Sequence, residues 1–174
     1  MLALDAGSIF PKTDVAQLGG EKITLGAPRD GHDWQLVVVY RGLHCPICKN
    51  YLSKLQELEA EYNALGVDVV AVSGDPVDKA QAMVDEKELT IAMGYDLSIE
   101  QMRTLGLFVS DPRSPTETDR PFSEPGLFVI NEQGAVQILD VSNAPFARPD
   151  LQGIANGIKF IRGNDYPIRG THKG

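Results

Sequence analysis

The chain has 174 residues, 43% of them hydrophobic, and a formal net charge of −8 at pH 7. This length and composition are typical of a globular protein with one full core, so we predict a single domain over residues 1–174. The negative charge argues against nucleic acids and anionic membrane surfaces as partners, and no apolar run approaches the roughly 20 residues that span a bilayer. Because Met1–Asp5 lacks a basic segment followed by an apolar core, we expect no secretory signal and a cytoplasmic location.

The first half of the chain predicts alternating strands and helices. Residues 1–20 are rich in Gly and Pro and predict a loop with at most a short strand. The unbroken apolar run within 34–40 predicts a central strand buried on both faces. Apolar side chains then recur at steps of three and four, which predicts a helix over 46–65 that stops before Gly66. The other elements predicted here are strands at 22–25, 67–72 and 91–93 and helices at 76–89 and 98–105.

The second half begins with a long polar segment, residues 110–125, which carries four prolines and predicts a loop. Two strands at 126–130 and 135–141 are expected to pair as an antiparallel hairpin, and a last helix is predicted at 150–161. Early alternation of strands and helices implies a parallel sheet to which this hairpin adds an antiparallel edge. The sequence therefore predicts an α/β fold with a central mixed sheet flanked by helices.

The only two cysteines form a C-x-x-C motif, Cys45 to Cys48, at the junction between the central strand and the long helix. The helix N-terminus favours the thiolate of Cys45, which makes this sulfur the expected nucleophile. Cys48 lies one turn further, is expected to be more buried, and can close a disulfide with Cys45. The motif predicts a thiol–disulfide redox site, although a zinc half-site shared across a dimer and a pair of inert cysteines are alternatives. Structural zinc needs four ligands and the chain has three scattered His, so no metal is predicted.

Three parts of the chain resemble the AhpC/TSA family (alkyl hydroperoxide reductase C and thiol-specific antioxidant), which has a thioredoxin-like fold: residues 7–11 followed by 19–25, residues 40–48, and residues 126–134. The resemblance covers nearly the whole chain and implies a thioredoxin-like fold with an N-terminal β extension. It implies a peroxiredoxin-like antioxidant enzyme in which the Cys45 thiolate reduces a peroxide and Cys48 resolves the product to an intramolecular disulfide. An external thiol reductant, thioredoxin- or glutathione-like, then restores the thiols. No cofactor is implied, and a homodimer is expected because related proteins often pair.

The chain also departs from the family pattern. Typical peroxiredoxins carry Thr or Ser three residues before the reactive cysteine and Pro four residues further back, and these positions are Gly42 and Val38 here. The arginine that commonly lines the peroxide pocket has only Arg41 and Arg120 as candidates. Two other functions therefore stay open. One is a thioredoxin-like protein disulfide reductase, favoured by the C-x-x-C motif, and the other is a non-enzymatic redox-sensing binding module.

Three residues beside Cys45 are candidate supporting groups. Pro46 lies inside the motif and begins the helix. A protonated His44 would lower the pKa of Cys45, but the ring can equally replace an aromatic packing residue. Arg41 either stabilises an anionic sulfur or substrate, or points to solvent.

Two further candidates precede the late strand. Glu124 can face the sulfurs as a proton carrier, but an exposed loop carboxylate is the favoured interpretation. Pro125 occupies the place at which the thioredoxin fold carries a cis-proline facing the C-x-x-C pair. The resemblance therefore leaves open whether the Glu124–Pro125 bond is cis or trans.

Overall fold

The computed structural model describes residues 4–174, so the first three residues of Met1–Asp5, where no secretory signal is predicted, lie outside the described residues. The elements follow in chain order: β1 Thr13–Gln17, β2 Lys22–Leu25, β3 Trp34–Val39, α1 Pro46–Ala64, β4 Val67–Val72, α2 Val77–Lys87, β5 Ala92–Tyr95, α3 Ile99–Thr104, β6 Val109–Ser110, β7 Phe122–Ser123, β8 Gly126–Ile130, β9 Val136–Val141 and α4 Leu151–Asn164. In the part of the chain that the structure describes, no helix is both long and apolar enough to cross a membrane.

Seven strands form one mixed sheet in the order β2-β1-β5-β4-β3-β8-β9. The central strand β3 runs parallel to β4 and antiparallel to β8, and all six of its residues are buried. Strands β8 and β9 form the predicted hairpin, and β1 and β2 form an antiparallel pair that joins the opposite side of the sheet through β5. This arrangement confirms the predicted thioredoxin-like α/β fold with an N-terminal β extension.

Alternating side chains of β3 feed two apolar cores, as the two-residue period of a strand requires. Leu36 and Val38 pack on the face covered by α1, α2 and α4. Val37 and Val39 pack on the opposite face, with α3 and the N-terminal strands. Both faces of β3 are therefore covered. Residues 40–45 follow the carboxyl end of this strand and lead directly into α1 at the edge of the sheet.

The segment 110–125 differs from the predicted plain loop. Its ends contribute to the two short strands β6 and β7, which pair with each other as a separate antiparallel ladder. Strands of two residues have no periodicity that a sequence pattern can reveal. Phe122 of β7 contacts His44 and Arg41 in the turn that precedes α1, so the pairing positions side chains of the site.

Candidate active site

Cys45 is the residue that caps the N-terminus of α1. Its backbone is extended, and its Sγ accepts a hydrogen bond from the Cys48 backbone N–H at 3.2 Å. Pro46 occupies the first helical position, where the missing N–H costs no hydrogen bond and the fixed φ suits the helix. The motif thus builds a sulfur atom directly onto the positive end of a 19-residue helix.

The two sulfurs share one proton unequally. The pKa of Cys45 is lowered to about 6, chiefly because the Cys48 thiol and then its backbone N–H donate to the Cys45 sulfur; Arg41 adds to the lowering, while burial opposes it. The pKa of Cys48 is raised, because its proton is held towards Cys45 and because the group is buried. Near neutral pH the pair is therefore a Cys45 thiolate beside a Cys48 thiol.

Arg41 is held beside this pair by a buried carboxylate. Its Nε lies 3.0 Å from Glu124 Oε2, and its guanidinium stacks 4.8 Å from the centre of the Phe122 ring. The Nε–H does not point at the oxygen, so the contact is an ion pair rather than a hydrogen bond. Ser110 donates to Glu124 Oε1 at 2.7 Å. The interpretation of Glu124 as an exposed loop carboxylate is wrong, since the residue is only 3% exposed; the β6–β7 pairing buries it.

His44 is packed as a neutral ring. It meets Phe122 edge-on with 4.5 Å between the ring centres, and neither ring nitrogen has a hydrogen-bond partner among the described residues. The pKa of His44 is lowered, first by burial and then by the positive charge of Arg41. This environment favours the packing role over a protonated imidazole that tunes Cys45.

Gly42 and Asp75 together explain the missing hydroxyl. Gly42 has φ +148°, and a Cβ placed on it would lie 2.8 and 3.0 Å from the carboxylate oxygens of Asp75. Asp75 is buried, which raises its pKa, and it accepts a hydrogen bond from the Leu43 N–H at 2.8 Å. The space in which a side chain at position 42 would stand is therefore filled by the Asp75 carboxylate, which follows β4 at the same edge of the sheet.

Arg148, like Asp75, is a site residue that sequence reasoning missed. Its Nη2 donates to Cys48 Sγ at 3.3 Å, and its guanidinium lies 4.8 Å from the centre of the Tyr51 ring. It stands 100 residues after Cys48, in the segment that precedes α4, and no motif connects the two positions. Arg120, the other arginine weighed for this site, pairs with Asp119 instead.

Pro125 lies at the same end of the sheet, but its peptide bond is trans: no peptide bond in residues 4–174 is cis. Two backbone hydrogen bonds hold this position: Glu124 N–H donates to Phe108 O, and Ser142 N–H donates to Pro125 O. Pro125 lines a small cavity together with Tyr51 and Arg148. Among the described residues, no group of three or more His, Cys, Asp or Glu is arranged to hold a metal ion.

A thiolate at a helix N-terminus, one turn from a second thiol and on this sheet, defines a thiol-based oxidoreductase of the thioredoxin-fold class. A model of the AhpC/TSA family matches residues 6–138, and the chain belongs to that family. The protein is accordingly an enzyme of the peroxiredoxin-like thiol peroxidase type.

Solved structures with the same fold include several peroxiredoxins. A peroxiredoxin-like protein from Aquifex aeolicus superposes with a TM-score of 0.76 at 18% identity, covering 92% of this chain and 90% of that one. The reduced 2-Cys peroxiredoxin of Plasmodium vivax gives 0.75 at 14% identity, covering 92% and 83%. AhpC of Mycobacterium bovis gives 0.72 at 16% identity, covering 99% and 100%. No curated protein matches the sequence significantly.

Proposed function

We propose that the protein reduces hydrogen peroxide or small organic hydroperoxides through Cys45, with Cys48 as the resolving cysteine. The Cys45 thiolate attacks one peroxide oxygen, so that an S–O bond forms, the O–O bond breaks and the sulfur becomes a sulfenic acid. The leaving alkoxide or hydroxide takes a proton and departs as an alcohol or water. Cys48 then displaces hydroxide from the Cys45 sulfur, and the resulting disulfide accepts two electrons from an external thiol.

The observation that carries this proposal is a thiolate that is both stabilised and enclosed. Cys45 has a pKa of about 6, yet it is only 1% exposed. A peroxide of a few atoms needs a small opening to reach such a sulfur, whereas a protein disulfide must bring its own backbone to it. The enclosure therefore favours peroxide over the protein disulfides that a thioredoxin-like reductase would use.

The experiment is the second-order rate of the fully reduced protein with hydrogen peroxide, measured with the loss of both thiols. We expect rapid loss at micromolar peroxide, one disulfide per chain by mass spectrometry, and no reaction in Cys45→Ser. Cys48→Ser should still react once but should stop at the sulfenic acid. A rate no greater than that of a free thiolate would overturn the proposal. Rapid reaction with an oxidised protein substrate would then indicate disulfide exchange, and tight disulfide-dependent binding of a partner would indicate redox sensing.

Partners and surroundings form part of the same proposal. A thioredoxin- or glutathione-like thiol would reduce the Cys45–Cys48 disulfide, and a cytoplasmic location would supply such donors. We also propose that the protein forms a homodimer. Turnover with each donor and sedimentation of the reduced and oxidised protein test these points separately.

A further inference from the structure

Three contacts fix the guanidinium of Arg148, and one of them is to the sulfur of Cys48. Its Nη2 donates to Cys48 Sγ at 3.3 Å, its Nε donates to Pro145 O at 2.8 Å, and its guanidinium stacks on Tyr51. The Tyr51 hydroxyl in turn donates to Pro149 O at 2.6 Å, so the stacking ring is itself held. A planar guanidinium held in this way presents a fixed positive charge to one atom.

Cys48 needs such a charge at one stage of the reaction only. In the reduced pair its proton serves the Cys45 thiolate, and Cys48 is a thiol. Once Cys45 carries a sulfenic acid, its sulfur is no longer an anion that requires this proton. Cys48 must then become a thiolate in order to attack. Because Cys48 is fully buried, water cannot stabilise that thiolate, and a neighbouring cation is the physical means of doing so.

We propose that Arg148 enables resolution, by stabilising the Cys48 thiolate that attacks the Cys45 sulfenic acid. This inference rests on the proposed function. In the step, the Cys45–Cys48 bond forms and the Cys45 S–O bond breaks. The proton that Cys48 gives up neutralises the departing hydroxide as water, while Arg148 keeps all of its protons.

Cys45, with a pKa of about 6, titrates near neutral pH, whereas the pKa of Cys48 is raised. The Tyr51 phenol has a raised pKa because it is buried, and the same holds for Tyr40. The charged or titratable groups that interact with Cys48 are Cys45, Arg41, Tyr40 and Arg148. Asp140 and Asp150 interact with the Tyr51 phenol, and Asp140 lines a small cavity together with Tyr51 and Arg148.

The first test needs no peroxide. In Cys45→Ser, Cys48 is the only cysteine, and ¹³C labelling of its Cβ reports its ionisation by NMR. Adding Arg148→Met should raise the titration midpoint by about 1–2 pH units, the effect of removing an adjacent opposite charge. The midpoint of the Arg148→Lys variant should lie between these two values, because lysine keeps the positive charge and loses the planar set of guanidinium N–H donors. If Cys45→Ser titrates at the same midpoint with and without the added Arg148→Met substitution, the proposal is overturned.

The second test follows the two thiols of the otherwise intact chain after a pulse of peroxide, by acid quench and mass spectrometry at pH 7. Arg148→Met should slow disulfide formation about 3- to 10-fold. Each unit by which the pKa of Cys48 rises lowers the thiolate fraction of Cys48 about tenfold, but it makes that thiolate about threefold more nucleophilic. Formation of the sulfenic acid should stay within about twofold of the unmodified protein, as a role confined to the resolving step requires. Equal slowing of both steps would indicate a merely structural role and would contradict the proposal.

Arg162→Met is the matched control. Arg162 also stacks on an aromatic ring, Trp34, and also makes an ion pair, with Asp33, but it does so at the other end of β3. It should change neither the midpoint nor the resolving rate. If Cys45 of the unmodified chain fails to react with peroxide, the proposed function is lost, yet the NMR titration still decides whether Arg148 stabilises the Cys48 thiolate.

Discussion

Replacing Cys48 with Ala should raise the pKa of Cys45 more than any change at Arg41. The largest lowering of that pKa, to about 6, comes from the Cys48 thiol that donates to the Cys45 sulfur, while Arg41 contributes less. Ala removes this donor and keeps the backbone N–H of the helix. We therefore expect the pKa of Cys45 to rise by about 2 units, to about 8.

The consequence for rate depends on pH. At pH 5.5 the thiolate fraction of Cys45 would fall from about 0.24 to about 0.003, or roughly 75-fold, for a pKa that moves from about 6 to about 8. A thiolate of higher pKa is also a better nucleophile, by about 8-fold over 2 units. The first turnover with peroxide should therefore be about tenfold slower at pH 5.5, and the difference should vanish near pH 7.

Stopped-flow rates of a single turnover between pH 5 and 9, with ultraviolet absorbance of the thiolate as an independent titration, measure both quantities. Cys48→Ser retains a hydroxyl donor and should titrate closer to the unmodified protein. A midpoint for Cys48→Ala within about 0.3 units of that protein would refute the shared-proton account of this pair.

Three further predictions concern stability, each measured by urea unfolding. Gly42→Thr should lower the free energy of unfolding by about 3 kcal/mol and bring no gain in peroxide reactivity, because a threonine is strained at φ +148° and its Cβ would meet the Asp75 carboxylate. A free energy of unfolding within about 0.5 kcal/mol of the parent would contradict this. Arg41→Met should cost about 3 kcal/mol by leaving Glu124 buried and unpaired, and Arg41→Met/Glu124→Gln should recover most of it; an unrecovered double variant would refute that explanation. The pKa of Cys45 is lower in the folded than in the unfolded chain, so the unfolded chain binds more protons between pH 6 and about 8.5. The free energy of unfolding should therefore increase as the pH rises through this range. Cys45→Ser should lack this increase.

The fold was predictable because its signals are local. The apolar run of β3 and the apolar spacing of α1 each lie within one short stretch of sequence, and the observed end of α1, Ala64, is one residue before the predicted end. The later helix α4 continues to Asn164, three residues beyond the predicted end. Its last turn is supported by the ion pair between Arg162 and Asp33, a contact 129 residues apart that no window contains.

The site was predictable only where the motif itself supplies the chemistry. Cys45, Cys48 and Pro46 act through spacing along one helix, and that spacing is visible in the sequence. Glu124 and Arg148 reach the motif through tertiary contacts, so their roles depend on the β6–β7 pairing and on the segment before α4.

Asp75 could have been found by topology. It follows a strand parallel and adjacent to the one that leads into the motif, and the carboxyl ends of such strands meet at one edge of the sheet. Position 42 alone showed a missing hydroxyl; only the neighbouring carboxylate shows what replaced it.

The mutual fit of Gly42 and Asp75 also constrains how this turn can change over evolutionary time. A hydroxyl residue at position 42 collides with the carboxylate, while loss of the carboxylate first leaves the Leu43 N–H without its acceptor. Either order of substitution passes through a less stable ancestor, so the two turn designs are separated by an epistatic barrier. A lineage with the Gly42 and Asp75 pair is therefore expected to keep this pair rather than to regain the hydroxyl.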